Sequence, residues 1–317
     1  MSYLEIGMAH RESIPTINDI AELAGVSKRT VSRVINKSVD VSAYTREKVE
    51  SIISDTNYAP DSRARGLAAR RSYLIGLIYD VPTLFMNDVQ KAILEVCTHE
   101  GYDIVVHPCE IGSADLIDDV HRFVSRSRVD GVIMLPPVSQ IPQLAAALET
   151  FDIPYIRFDS ALSAEPWRLV VTNYSPAVTD MTNFLVNLGH REIGFISGPN
   201  ANISSQKREQ AFAEALRRHG LEVHKSHRVE GAFTYESGVK AANILLKMDK
   251  RPTAIFAAND EMAFAVLNVA DSLGIRVPED LSVVGFDGTK FAEFMIPALS
   301  TIRRPTAQMA RLGAQKL

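Results

Sequence analysis

The sequence lacks the short motifs that mark several large classes of enzyme. Its 317 residues contain no glycine-rich loop of the P-loop type and no Gly-x-Ser-x-Gly turn, and no pairing of cysteine with histidine indicates a nucleophile. Three histidines that are close in sequence fall around a predicted helix end and loop, so we expect them to be solvated: His219, His224 and His227. We therefore predict no catalytic site, no metal and no cofactor.

Long apolar runs and cysteines are also scarce. No segment is long enough to cross a membrane, and no signal peptide opens the chain. The two cysteines, Cys97 and Cys109, lie among apolar residues, so we expect buried thiols in a reduced, cytoplasmic protein. The hydrophobic fraction of 46% supports a large core, and the length exceeds that of one ordinary small domain.

Charge is distributed unevenly along the chain. The net charge is −4, whereas residues 16–71 hold ten Lys and Arg against seven Asp and Glu, a local excess of +3. A basic segment on an acidic remainder is typical of a protein that contacts phosphates at one end.

This basic segment begins with two helical patterns around a turn. Thr16 and Asp19 favour a helix start, Gly25 allows a sharp turn, and Ser27 can cap the next helix. Four apolar residues recur at helical spacing in the first helix: Ile17, Ile20, Ala21 and Ala24.

The second helix is predicted over residues 28–36. Val31, Val34 and Ile35 form its buried face, and the opposite face carries donors for base edges and phosphates: Lys28, Arg29, Ser32, Arg33 and Asn36. The pattern predicts a helix-turn-helix in which residues 28–36 are the recognition helix. The alternative interpretation is an amphipathic helix pair with a solvated basic face.

A third helix and a linker follow. Ser42 can cap a helix whose apolar residues Val49, Ile52 and Ile53 close a three-helix core over residues 16–60. Residues 61–72 are arginine-rich with little apolar area, so we expect a flexible linker in the absence of DNA. Residues 1–15 are polar and mixed, and we expect them to be disordered.

From Tyr73 onward, strand and helix patterns alternate in two series. Repeated strand–helix units predict parallel sheets with helices on both faces, and two series predict two similar lobes with a cleft between them. The predicted fold class is α + α/β. We place one lobe at about 73–170 plus 300–317 and the other at about 171–299.

Ligands of open α/β sheets bind beyond the carboxyl ends of the strands. Five polar or rigid residues stand just after predicted strands: Asp80, Pro136, Asp159, Asn259 and Asp287. Carboxylates and amides beside aromatic faces suit a polyhydroxylated ring, so we predict a sugar-like ligand.

The chain closely resembles the lactose-repressor family of bacterial transcription regulators. The matching stretches in the basic segment are TINDIAELAGVSKRTVSRVIN, VSAYTREKV, NYAP and SRARGLAARR, and the likeness continues to the last residue. The resemblance implies a dimeric, sequence-specific DNA-binding repressor of a carbohydrate-utilisation operon. It also implies a body with the fold of sugar-binding periplasmic proteins.

The resemblance implies a DNA interface wider than the recognition helix. Residues 61–72 would become a hinge helix on a pseudo-palindromic operator, where Leu67 would wedge into a base step of the minor groove. The complete predicted set is Thr16, Ser27, Lys28, Arg29, Thr30, Ser32, Arg33, Asn36, Tyr58, Arg63, Ala64 and Leu67.

The resemblance also assigns effector contacts. Arg208 and Asp260 occupy the positions of the family's effector-binding arginine and aspartate, and Phe85 and Phe233 occupy those of cleft aromatics. Together with the strand-end residues they form the predicted effector site.

Three departures from the family pattern stand out. Arg304 precedes Pro305 where relatives have glutamine, Thr172 replaces an aspartate, and the first cleft loop differs at Thr83 to Met86. The chain also stops at Leu317, inside what the resemblance implies is the final helix, so we expect a trimmed chain.

Two other classes of function remain as alternatives. A free solute-binding protein would share the two-lobed body, but the recognition helix and the lack of an export signal argue against it. An enzyme with a nucleotide-binding α/β fold would need a glycine fingerprint and a catalytic constellation that the sequence does not contain.

Overall fold

The computed structural model describes residues 15–35, 38–56, 58, 71–159 and 165–317. The chain divides into two compact units, residues 1–72 and residues 73–317, which we call the head and the body. The predicted N-terminal extension apart from Pro15, and the predicted hinge apart from residues 71–72, lie outside the described residues. So do the predicted DNA contacts Asn36, Arg63, Ala64 and Leu67.

The described residues of the head form three helices around a small core. At its start, Asp19 Oδ2 accepts hydrogen bonds from the backbone N–H of Thr16 at 2.7 Å and from its hydroxyl at 2.8 Å. Gly25 ends the first helix with a φ of 62°, a conformation that is rare for other residues. Ser42 Oγ accepts from the N–H of Thr45 at the start of the third helix. The bounds are α1 Ile17–Ala24, α2 Lys28–Ile35 and α3 Ala43–Asp55.

The first lobe of the body is a parallel five-stranded sheet in the order β2-β1-β3-β4-β5. Two separate apolar clusters line its faces, which is the arrangement expected when helices cover both sides of a sheet. Its strands are β1 Leu74–Tyr79, β2 Asp103–Pro108, β3 Gly131–Met134, β4 Tyr155–Phe158 and β5 Leu169–Val170. Its helices are α4 Leu84–His99, α5 Leu116–Ser127 and α6 Pro142–Thr150.

The second lobe is also a parallel five-stranded sheet, in the order β7-β6-β8-β9-β10. Its strands are β6 Ile193–Ser197, β7 Arg228–Glu230, β8 Ala254–Ala257, β9 Ser282–Asp287 and β10 Ser300–Arg303. Its helices are α7 Ser175–Asn187, α8 Ile203–Arg218, α9 Tyr235–Leu246, α10 Asp260–Ser272 and the short α11 Phe291–Phe294. One large cluster of buried apolar residues forms its core.

The chain passes between the lobes twice. It leaves the first sheet after β5 and enters α7, which packs against α8 of the second lobe. It returns after β10 into α12, Thr306–Lys316, which packs against α4, β4 and β5 of the first lobe. The polypeptide at these two crossings therefore joins the two halves of the body.

The structure corrects two sequence boundaries. Residues 300–303, predicted in the first lobe, form β10, which pairs in parallel with β9 of the second. The first helix of the body begins at Leu84, so Leu84 to Met86, which were predicted in a cleft loop, form the first turn of that helix. The Leu84 N–H donates to Glu261 Oε1 at 2.6 Å, which satisfies one of the N–H groups left unpaired at a helix start.

Within the residues that the structure describes, no helix combines the length and the apolar character needed to span a bilayer.

Candidate functional site

A pocket lies between the lobes at the carboxyl ends of both sheets. Asp80 follows β1, Pro136 and Pro137 come after β3, and Asp159 follows β4. Across from them, Asn259 follows β8 and Asp287 ends β9. The space between these groups is about 760 Å³ including the open mouth, a size that suits a small molecule.

Most of the predicted effector residues meet in this pocket. The second lobe also contributes a cap residue, Asn202, and an arginine, Arg304, that the sequence prediction did not include as site residues. The predicted residues found in the lining are Asp80, Phe85, Pro136, Asp159, Arg208, Phe233, Asn259 and Asp287.

Asp260 is the exception, and the structure corrects its placement. Its side chain is 0% exposed and absent from the pocket lining. Oδ2 accepts from the backbone N–H of Thr289 at 2.8 Å and from its hydroxyl at 2.9 Å, and Oδ1 accepts from the hydroxyl of Thr301. Asp260 therefore ties the start of α10 to the segments beside β9 and β10, while the preceding Asn259 lines the pocket.

Arg304 joins the two lobes inside the pocket. Its Nη2 lies 2.7 Å from Asp159 Oδ2 and its Nη1 lies 3.3 Å from Asp287 Oδ1. The hydroxyl of Tyr174 donates to Asp159 Oδ2 at 2.8 Å and accepts from Arg304 Nη2. The sequence marked Arg304 only as a departure from its family, because a strand-end position alone does not reveal a salt bridge across a cleft.

Arg208 is buried beside this network and forms no ion pair with the residues that the structure describes. Its side chain is 5% exposed, and Nη1 donates to the carbonyl oxygen of Ala258. The guanidinium stacks on Phe286, with Cζ 3.7 Å from the ring centroid. Burial lowers the pKa of Arg208 to about 10, which leaves it charged at neutral pH.

Burial raises the pKa values of two acidic groups in the pocket, whereas it lowers that of Arg208. Burial raises the pKa of Asp287 to about 6, although Arg304 and Arg208 oppose the shift. Burial also raises the pKa of Asp80, against a backbone hydrogen bond from Ile111 that lowers it. The pKa values of these two carboxyl groups are therefore higher than that of an ordinary aspartate.

Two aromatic rings complete the lining. The ring of Phe85 lies 4.2 Å from Arg304 Cζ. Phe233 adopts a φ of 61°, and its carbonyl oxygen accepts from Asn259 Nδ2 at 2.8 Å. Its ring packs on Gly198, where an added Cβ would come within 2.0 Å of it. Only glycine allows so close an approach of ring and backbone.

Gln140 supplies a second polar bridge between the lobes. Its Oε1 accepts from the N–H of Ile203, at the start of α8, at 3.0 Å. Its Nε2 donates to the carbonyl oxygen of Asp159 at 3.1 Å. Sequence reasoning missed Gln140 because it lies in a short 3₁₀ turn at residues 138–140 that carries no motif.

In the head, α2 carries most of those predicted DNA-contacting side chains that the structure describes. Ser27, Lys28 and Arg29 are exposed, whereas Thr30, Ser32 and Arg33 are partly exposed; Thr16 is exposed at the start of α1. The N–H of Thr30 donates to Ser27 Oγ at 3.1 Å, so Ser27 caps α2 as predicted. The exposed face of α2 carries hydrogen-bond donors of the kind that contact base edges in the major groove.

Tyr58 does not belong to this exposed face. It is 8% exposed and packs in the head core with Val49 and Ile20. The prediction that Tyr58 contacts DNA therefore gives way to a role in core packing.

A helix-turn-helix head and a two-lobed α/β body with an interlobe pocket define a class of ligand-controlled DNA-binding proteins. Residues 16–61 match the family described as bacterial regulatory proteins, lacI family, and residues 182–317 match a periplasmic binding protein-like domain. The chain belongs to the lacI family of transcription regulators and is a transcriptional repressor of that family. The prediction of a regulator in place of an enzyme is confirmed.

Three similar proteins illustrate the match. The probable HTH-type transcriptional repressor ExuR of Bacillus subtilis is 31% identical over 95% of this chain and 90% of its own length. A Lac repressor dimer bound to operator and the anti-inducer ONPF is 30% identical, with a TM-score of 0.77, over 95% of this chain and 91% of that one. A complex of the transcriptional regulator CelR with cellobiose is 31% identical, with a TM-score of 0.70, over the same shares of the two chains.

Proposed function

We propose that this repressor binds a pseudo-palindromic operator as a homodimer and that a sugar or sugar derivative in the interlobe pocket controls its DNA binding. The observation that carries the proposal is the pocket itself, in which aromatic rings and buried polar side chains from both lobes meet. The complexes of Lac repressor with operator and of CelR with cellobiose support the same pair of partners.

The recognition helix supports the DNA part of the proposal. Lys28 and Arg29 are exposed in the first turn of α2, where side chains reach base edges most deeply, and Arg33 follows one turn later. One head contacts few base pairs, so two heads on a dyad are needed for a useful specificity ratio.

Selection of binding sites from a random DNA pool with the full chain tests this part. We expect a motif with dyad symmetry, and a protein dimer in sedimentation velocity. Arg29→Ala should cost about 1–3 kcal/mol on the selected site and relax the preference at one base position. Equal loss on random DNA would assign Arg29 to phosphate contact, and an asymmetric single half-site would contradict the dimer.

The effector part rests on a difference between two states of the body. A ligand changes DNA binding only if it binds those states with different affinity. Arg304 and Gln140 each join the two lobes near the pocket, so a ligand bound in the pocket can favour one lobe arrangement.

A melting screen of the full chain against neutral sugars and sugar acids tests the effector part. Compounds that raise the melting temperature are then added to the protein bound to its selected site, and the change in fluorescence anisotropy of labelled DNA is measured. Arg208→Ala should leave binding to the site nearly intact and remove the response. A response that survives in Arg208→Ala would place the ligand elsewhere.

A solute-binding protein without a regulatory role is the alternative that the body alone would allow. The head favours the regulator over the solute-binding protein, because binding a solute does not require an exposed helix rich in hydrogen-bond donors. Failure to select any DNA motif would favour this alternative.

A further inference from the structure

Two arginine side chains in the pocket have buried donors without an acceptor. Among the described residues, three buried side-chain polar atoms lack a hydrogen-bond partner: Ser197 Oγ, Arg208 Nε and Arg304 Nε. Both arginines line the interlobe pocket, and Ser197 does not. Since buried donors in folded proteins are almost always paired, two such atoms in one pocket indicate an acceptor that arrives from outside.

One edge of the Arg208 guanidinium has no hydrogen-bond partner among the described residues. Nη1 is held by the carbonyl oxygen of Ala258, and the plane is fixed against the ring of Phe286. This is the only hydrogen bond of the Arg208 side chain to the residues that the structure describes. The remaining edge, formed by Nε and Nη2, has the fork geometry that binds two oxygens of one carboxylate.

Several acceptor atoms of the pocket already receive hydrogen bonds. Asp159 Oδ2 accepts from Arg304 and Tyr174, and Asp287 Oδ1 accepts from Arg304. Asn259 Oδ1 accepts from the N–H of Met262. A ligand hydroxyl placed beside Arg208 would also bring a hydrogen of its own, which needs one of the remaining acceptors. A carboxylate brings acceptors only and satisfies the arginine donors without that requirement.

The pocket lining holds two arginines and three carboxyl groups, Asp80, Asp159 and Asp287, so an added anion requires one of these carboxyl groups to take up a proton. Arg304 is shared by two carboxyl groups, Asp159 and Asp287, whereas Arg208 forms no ion pair with any carboxylate that the structure describes. A buried charge without a close partner is costly, and a ligand carboxylate would supply that partner. Burial has already moved the pKa of Asp287 upward, so this group can take up a proton as the anion enters.

We infer that the ligand of this pocket carries a carboxylate group, bound in a bidentate manner by the Nε–Nη2 edge of Arg208, with Arg304 Nε facing the same group. This inference rests on the proposed effector role of the pocket and names the chemical class of that effector. The polyhydroxylated part of the ligand lies toward Asp80 and the rings of Phe85 and Phe233.

Matched pairs of compounds test the inference on the full chain. Isothermal titration calorimetry compares D-glucuronate with D-glucose and D-galacturonate with D-galactose, and D-glucose 6-phosphate serves as a phosphate-bearing probe. We expect one acid to bind roughly 10- to 100-fold more tightly than its neutral partner, the range expected for hydrogen bonds to a charged group. Neutral sugars that bind as tightly as the acids, or tight binding by the phosphate ester alone, would overturn the carboxylate assignment.

Substitutions test whether Arg208 is the group that binds the carboxylate. Arg208→Lys keeps the positive charge but loses the fork, so the acid should lose most of its advantage over the neutral sugar. Arg276→Lys is the matched control, because Arg276 pairs with Asp280 on the surface and is absent from the pocket lining. Melting without ligand verifies that each variant folds. Unchanged acid affinity in a folded Arg208→Lys variant would overturn the inference.

The outcomes separate this inference from the proposed function. If a neutral sugar binds and Arg208→Lys weakens it, the effector pocket stands and the carboxylate assignment fails. If neither acids nor sugars bind to the folded full chain, both fail.

Discussion

The two lobes of the body have the same strand order but unlike chemistry at their carboxyl ends. In each lobe the second strand forms the edge and the first strand lies next to it. The first lobe offers the carboxylates of Asp80 and Asp159, whereas the second offers the guanidinium groups of Arg208 and Arg304 together with one carboxyl group, that of Asp287. Topology therefore determines where the strand ends gather, and the residues at those ends determine whether the lobes attract each other.

The helices that follow the first strand of each lobe, α4 and α8, show the same contrast. α4 turns the apolar residues Phe85 and Met86 toward the interior, while the start of α8 buries the polar residues Ser204, Ser205 and Arg208. A polar interior needs partners, and Gln140 of the first lobe supplies one by accepting from the N–H of Ile203. The polar groups at the start of α8 in the second lobe thus depend on contact with the first lobe.

The largest expected effect comes from removing the cation shared by the lobes. Arg304→Met would leave Asp159 and Asp287 buried without their arginine and should lower the free energy of unfolding by about 3–5 kcal/mol. Urea unfolding followed by circular dichroism measures it. Arg303→Met is the matched control, because Arg303 is 72% exposed and pairs with Glu293, which is also on the surface. Equal losses in the two variants would refute the role of the buried network.

A smaller loss of unfolding free energy is expected at Gly198 of the second lobe, where the backbone lies close to the ring of Phe233. Gly198, the residue after the first strand of that lobe, corresponds to Asp80 in the first. Gly198→Ala would push its Cβ into the ring of Phe233 and should cost about 1–3 kcal/mol in unfolding free energy. Introducing the same change into a Phe233→Ala background should cost much less. If the cost persists there, the ring contact does not explain it.

Gln140→Ala weakens the bridge between the lobes more gently. Two hydrogen bonds are lost, one leaving the N–H of Ile203 without its partner, so we expect a loss of about 1–2 kcal/mol. Hydrogen exchange at the Ile203 amide should accelerate together with this loss. Gln143→Ala, at an exposed position of α6, is the control. Unchanged exchange at Ile203 would show that the bridge does not restrain the second lobe.

The smallest expected effect is the slow reaction of two buried thiols, Cys97 and Cys109, which both lie in the first lobe. Burial raises the pKa of Cys97 and raises that of Cys109 to about 12, so both remain protonated at pH 8. Ellman's reagent should therefore react slowly with the native protein and rapidly with both thiols in urea. Fast reaction of either thiol in the native protein would mean that the first lobe opens more readily than its packing indicates.

Local patterns in the sequence were enough to predict the head and the general location of the pocket. Thr16, Gly25 and Ser42 act at the ends of short helices, where each signal concerns neighbours only a few residues away. The strand ends were predictable for a related reason. In a parallel sheet all carboxyl ends meet at one edge, so Asp159, Asn259 and Asp287 converge once the strands are recognised.

Contacts between distant segments were decided only by the tertiary structure. One position along α10 separates Asn259, which lines the pocket, from Asp260, which is bound to Thr289 and Thr301, because successive helical residues point in different directions. Pairing with β9 assigned residues 300–303 to the second lobe. The same pairing carries Arg304 to Asp159, a partner 145 residues earlier. By itself the sequence determined the helical head, the repeated strand–helix units and the kinds of side chain at the strand ends. Which of these side chains pair with each other depended on the packing of the two lobes, because hydrogen bonds and ion pairs form between atoms that are close in space.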